Sequence, residues 1–84
     1  MEYEHVKFFF LNRVQGESDR GAWYKLTLAI DSINNGKATT YSLDFFVDAV
    51  MYAKTENFQK FGQVDAVFLP TARGNARLVS IEAL

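Results

Sequence analysis

The chain has no cysteine, one proline and one histidine in 84 residues. Without cysteine there is no disulfide, no thiolate nucleophile and no cysteine-held zinc, and a small chain of this kind fits a reducing cytoplasm. A single proline leaves no stiff polyproline linker. The single histidine, His5, stands near the N-terminus, and nothing in the sequence holds it beside Ser18, Ser32, Ser42 or Ser80 as a nucleophile–base pair requires. There is also no phosphate loop, GxGxxG or CxxC. The chain therefore reads as a non-enzyme without a cofactor. Glu2, Glu4 and His5 lie on a terminus prone to fraying and read as a solvated cluster, not a metal site. No apolar run approaches the roughly 18 residues of a membrane span, and MEYEHVKFFFLNR lacks the basic start and small-residue cleavage site of a signal peptide. An excess of one charge is missing too: nine Lys and Arg against ten Asp and Glu give a net charge of −1. Nothing attracts nucleic acid to the molecule as a whole, so any such binding must come from a local patch.

What is present is apolar and aromatic surface. The hydrophobic fraction of 49% and the aromatic fraction of 15% are enough for a compact core and argue against disorder. The length sets one small domain, residues 1–84. The chain opens with Met and closes on an apolar strand, and it reads as a complete small gene product.

The stretch Ala22–Val47, AWYKLTLAIDSINNGKATTYSLDFFV, predicts one long β-hairpin about Asn35-Gly36. Asn-Gly between alternating apolar residues is a strong hairpin signal, because a type I′ turn needs positive φ at both central residues. The turn fixes the register. Asn34 faces Lys37, Ile30 faces Tyr41, Leu28 faces Leu43, Leu26 faces Phe45 and Tyr24 faces Val47, so one face is apolar throughout and is assigned to the core. The other face pairs Asp31 with Thr40, Ala29 with Ser42, Thr27 with Asp44 and Lys25 with Phe46, with Trp23 opposite Asp48. A one-residue slip would mix the two faces. Asp31, Asp44 and Asp48 share this second face but are separated by Thr27, Thr40 and Trp23, so they form no tight acid dyad.

Residues 3–14 read as a first strand, with Val6, Phe8 and Phe10 toward the core and Lys7, Phe9, Leu11 and Arg13 the other way. Phe9 and Leu11 suggest a second apolar contact, a subunit interface or a covering helix, ahead of a ligand contact. Residues 15–21, QGESDRG, read as a loop. Asp48 is a favoured N-cap for a helix running to Gly62, with Val50, Met51, Lys54, Phe58 and Phe61 on one face; the competing reading continues the strand to about Tyr52. Residues 63–84 read as a second hairpin turning at Arg73-Gly74-Asn75, or at Gly74-Asn75 taken as a two-residue loop, a register that sets Pro70 against Val79, Phe68 against Ile81 and Ala66 against Ala83. Pro70 belongs at an edge or a bulge.

Five short antiparallel strands with a possible helix between the third and fourth predict a mainly β fold, a small OB-like barrel, with an SH3-like small barrel as the alternative. In the first of these, the outer face of strands 2 and 3 and the loops joining strands 1–2 and 4–5 form the binding surface. Those positions hold Trp23, Lys25 and Phe46, then Arg20, and then Arg73 and Arg77, with Arg13 as an extension of the basic track. Aromatic platforms beside cations suit single-stranded nucleic acid, where stacking contributes about 1–3 kcal/mol per base.

The hairpin NNGKATTYSLDFFVDAV, the strand GQVDAVFLP and the closing GNARLVSIEAL together resemble the small single-stranded-DNA-binding (helix-destabilising) proteins of filamentous phages, over roughly the last 50 residues. The resemblance implies an OB-like fold, a homodimer and cooperative coating of single strands in phage or plasmid replication. It places aromatic DNA contacts at Trp23, Tyr41 or Phe46 and basic contacts at Lys25, Arg20 and Arg73. This chain differs from those proteins in its acidic balance and its phenylalanine-rich first strand. The expectation is thus a cytoplasmic protein that binds single-stranded DNA, with RNA as a second candidate, at low sequence specificity. The alternative is a protein-interaction or assembly module using the same aromatic face.

Overall fold

The computed structural model describes residues 3–72, 74 and 76–84. Five strands and one short helix follow in the order β1 (Glu4–Ser18), β2 (Gly21–Asn34), β3 (Lys37–Val47), α1 (Ala49–Lys54), β4 (Gln63–Pro70) and β5 (Ala76–Ala83). The strands form one antiparallel sheet in the order β3-β2-β1-β4-β5. The mainly β class and the five-stranded antiparallel arrangement are as expected. β3 and β5 are the edges, and no ladder joins them among the described residues. The sheet nevertheless curls enough for Asp44–Asp48 of the β3 end and Ala76–Val79 of β5 to line a single cleft. No helix among the described residues is long and apolar enough to cross a membrane.

The β2–β3 hairpin has the register its turn dictates, from Tyr24–Val47 to Asn34–Lys37 without a break. Asn35 (φ 52°) and Gly36 (φ 80°) supply the two left-handed residues of the turn. Leu26 and Leu28 are fully buried, and each such side chain contributes about 1.5–3 kcal/mol by leaving water. The β3 half of this face is less covered than its pattern suggests. Phe45 and Val47 are half-buried, but Tyr41 and Leu43 remain 44% and 43% exposed. They lie on an edge strand toward the hairpin tip, beyond the reach of the rest of the core.

β1 extends further than residues 3–14. The expected loop at residues 15–21 is reduced to the two-residue turn Asp19-Arg20, because Gln15, Gly16, Glu17 and Ser18 pair with Tyr24, Trp23, Ala22 and Gly21. A bulge in β1 between Phe10 and Asn12 inserts Leu11 as an unpaired residue. The bulge reverses the alternation beyond it, so Arg13 stands opposite the buried Leu26 and turns inward. The expected outward Arg13 is thereby corrected.

The second hairpin also departs from expectation. Val64 pairs with Ala83 and Ala66 with Ile81, and after a register shift between Val67 and Phe68, Phe68 pairs with Leu78 and Pro70 with Ala76. The bulge explains why the buried residues of β5 are Leu78 and Ile81, three apart, where an unbroken strand would space them by two. Pro70 is the last residue of β4, beyond the Glu4–Phe68 pair where β1 stops pairing.

Asp48 caps α1 as expected, its Oδ1 accepting from the Met51 N–H at 2.8 Å. The helix stops at Lys54 and not at Gly62. At its end the Tyr52 carbonyl accepts bonds from the Thr55 N–H, the Thr55 Oγ1 and the Arg13 guanidinium. Tight turns then follow, bonding Phe58 N–H to Thr55 O and Gly62 N–H to Gln59 O. They carry the chain back to β1, where Phe10 N–H donates to Gly62 O and Phe61 N–H donates to Phe10 O.

The core is Phe8, Phe10, Leu26, Leu28, Val64, Ala66, Phe68, Leu78 and Ile81, one cluster drawn from β1, β2, β4 and β5. Phe8 meets Phe45 and Phe68 edge-on at 6.0 and 6.1 Å, and Phe10 meets Phe58 at 5.6 Å, a geometry that adds about 0.5–1.5 kcal/mol per pair beyond area burial. Phe58 and Met51 pack on this cluster, so the 48–62 segment closes one end of it.

Candidate nucleic-acid interface

The outer face of β2 and β3 gathers three of the side chains singled out in the sequence. Trp23 lies opposite Gly16 of β1, and its ring covers that glycine so closely that a Cβ there would fall 2.4 Å from Cζ2. Gly16 is therefore the seat of the indole. Phe46, 73% exposed, meets Trp23 at 6.1 Å between centroids with the rings inclined by 74°. Lys25 pairs directly with Phe46 across the strands.

The acids on this face are already engaged. Asp44 accepts a 2.7 Å hydrogen bond from Thr27 Oγ1, and its other oxygen lies 3.8 Å from Lys25 Nζ. Asp31 accepts from Thr40 Oγ1 at 2.7 Å. Exposed pairs of this kind contribute little stability, about 0–1 kcal/mol. Their effect here is to orient Lys25 along the sheet and to offset one carboxylate beside the aromatic pair.

Arg77 reaches the same neighbourhood from the opposite side. The cleft between the two sheet edges has a volume of about 640 Å³, with Asp44, Phe46 and Asp48 on one wall and Arg77 on the other. Arg20 stands apart from this group, exposed in the Asp19-Arg20 turn, where its N–H donates to Ser18 Oγ at 3.3 Å. Arg73 lies outside the described residues.

Arg13 belongs to a different system. Its guanidinium carbon sits 3.7 Å from the centroid of the Tyr52 ring, Nε donates to Thr55 Oγ1 at 3.0 Å and a terminal nitrogen donates to the Tyr52 carbonyl at 2.7 Å. Thr55 is fully buried. This arginine locks the end of α1 to the sheet and is withdrawn from any outward basic track. Tyr52 in turn packs on Tyr24 at 5.0 Å.

The outward apolar contact expected of Phe9 and Leu11 lies on the outer sheet face, where Phe61 joins it. Phe9, Leu11, Ala29 and Phe61 line an open pocket of about 500 Å³ with Asp31, Thr40 and Ser42 at its margin. Phe61 holds a left-handed backbone (φ 66°) with its ring 66% exposed, a conformation costing an L-residue roughly 1–2 kcal/mol. The outward pairing of Phe9 and Leu11 was a usable signal. The approach of Phe61 was not, since it depends on the backbone bridge to Phe10.

His5 is exposed, as expected near the terminus, and its Nδ1 lies 2.8 Å from Asp65 Oδ2 across β1 and β4. Among the described residues no group of three or more His, Cys, Asp or Glu could hold a metal ion. The sequence matches no protein-family model and no curated protein.

Proposed function

We propose that this chain binds single-stranded nucleic acid, DNA before RNA, with little sequence preference, on the outer face of β2 and β3. The observation that carries the reading is the Trp23–Phe46 pair, held edge-to-face outside the core with Lys25 beside it and Arg77 across the cleft. Folding does not require an aromatic on the outside of an edge strand, whereas base stacking does. Trp23 and Phe46 stack bases, and Lys25 and Arg77 hold phosphates. The resemblance to filamentous-phage helix-destabilising proteins supports a coating role in the replication of a phage or plasmid.

The test uses the chain's single tryptophan. Oligo(dT) is expected to quench Trp23 fluorescence at low salt, less so at high salt, and duplex DNA of the same length to quench weakly. With a labelled oligonucleotide, Trp23→Ala should weaken binding by about 1–3 kcal/mol, roughly 5- to 150-fold in Kd. No quenching by oligo(dT) at low salt would sink the reading.

A second reading, an assembly module that buries the same rings against a protein, draws on Asp44 and Asp48 at the cleft and on the net charge of −1. It predicts Trp23 inaccessible to an external quencher in a stable complex and indifferent to oligonucleotides.

A further inference from the structure

Among the described residues, β3 forms a ladder with β2 alone, and its other edge is free. The two-residue turn determines which backbone groups that ladder uses. The pair closing such a hairpin, Asn34–Lys37, exchanges both of its hydrogen bonds, and the pattern alternates from there. Lys37, Thr39, Tyr41 and Leu43 thus direct N–H and C=O at β2, while Ala38, Thr40 and Ser42 direct theirs outward. Beyond Leu43 the strand faces Ala76–Val79 across the cleft, so the accessible edge is Lys37 to Leu43. The usual protections of an edge are missing along it. There is no proline, no bulge interrupts the register, and the sole charge is Lys37 at the end. On the core side of this span Tyr41 and Leu43 are the half-exposed apolar side chains that one more strand would cover.

We propose that this edge pairs antiparallel with the same edge of a second copy of the chain, about a two-fold axis at Thr40. A strand paired antiparallel with itself is the self-complementary contact that a closed two-fold dimer needs. The sheet faces and the outward hydrogen-bonding residues match only when paired residue numbers sum to an even value. Centring the accessible span on its midpoint pairs Thr40 with Thr40, Ala38 with Ser42, Thr39 with Tyr41 and Lys37 with Leu43. Threonine on threonine is a favourable cross-strand pair. Thr39 covers the Tyr41 of the second copy, the lysine stem lies along its Leu43, and no like charges meet. The two sheets become continuous, and the axis, perpendicular to them, leaves both Trp23–Phe46 faces on one side. A contact through seven residues of each copy is small beside the roughly 1,200–2,000 Å² of ordinary stable interfaces, so association is weak and concentration-dependent. The assignment does not rest on the nucleic-acid reading.

The cysteine-free chain makes the test clean. A hydrogen-bonded pair on the axis has Cα atoms about 5.5 Å apart, within the roughly 4.4–6.8 Å that a disulfide spans. Thr40→Cys is expected to form a covalent dimer under mild oxidation. Ser42→Cys is not, because the two copies of that position lie about 13 Å apart along the strands. In the unaltered protein the amides of Ala38, Thr40 and Ser42 should gain protection from hydrogen exchange as concentration rises, with the Tyr41 amide unchanged. A Thr40→Cys protein that stays monomeric on oxidation, together with edge amides indifferent to concentration, overturns the proposal. Efficient cross-linking through Ser42→Cys instead overturns the axis at Thr40.

Discussion

In the β2–β3 hairpin eleven residue pairs follow one another without a break, whereas β4–β5 changes register after four. Both hairpins bury one face in the same core. The unbroken ladder keeps strict alternation, so every residue of one parity points away from the core, and of these only Ala29 is buried. The bulged ladder spends that alternation on curvature: Val79 is inserted, Leu78 and Ile81 both turn inward, and β5 bends toward β3. A regular hairpin supplies a platform, and an irregular one supplies the wall that brings Arg77 against it.

This comparison can be tested from its strongest point downward. Leu28→Ala, at a fully buried position of the regular hairpin, should cost about 2–5 kcal/mol, seen as a lower midpoint in urea unfolding. Gly36→Ala leaves the core untouched but places a side chain at φ 80°; it should cost about 1–2 kcal/mol by the same measurement. Smallest of all, Phe46→Ala on the outer face should change stability by only about 0.5 kcal/mol while shifting the emission of its neighbour Trp23 and weakening oligonucleotide binding. If Phe46→Ala destabilises as much as Leu28→Ala, the outer face is part of the fold and the separation of the two faces fails.

The same contrast explains what could be read in advance. Asn35-Gly36 encodes its turn in two residues, and strict alternation carries that register to Tyr24–Val47, so Trp23, Lys25 and Phe46 emerge as the side chains left over. The bulges at Leu11 and Val79 have no comparable signature. Neither holds a glycine, so the inward turn of Arg13 was not legible, and the pairing of β5 was misplaced already beside its turn, where Pro70 meets Ala76 and not Val79. The length of α1 was misjudged for a different reason. Its C-terminal carbonyl is satisfied by Arg13 and Thr55, and Arg13 lies 39 residues away from Tyr52 in sequence. The meeting of Phe46 and Arg77 likewise depends on the curl of the whole sheet, which no local pattern reports.

The central place of β1 has a consequence for the order of assembly. Its ladder with β2 closes through the two-residue Asp19-Arg20 turn, and β2 joins β3 through another turn of two residues, so three strands can zip together from neighbouring contacts. Its other ladder pairs Glu4 with Phe68, a sequence separation of 64 (68 − 4). That closure must absorb the entropy of a long loop before the core rewards it. The return of β4 to β1 is thus the costliest closure in this small domain, and Trp23 and Phe46 lie on the side of it that local contacts build.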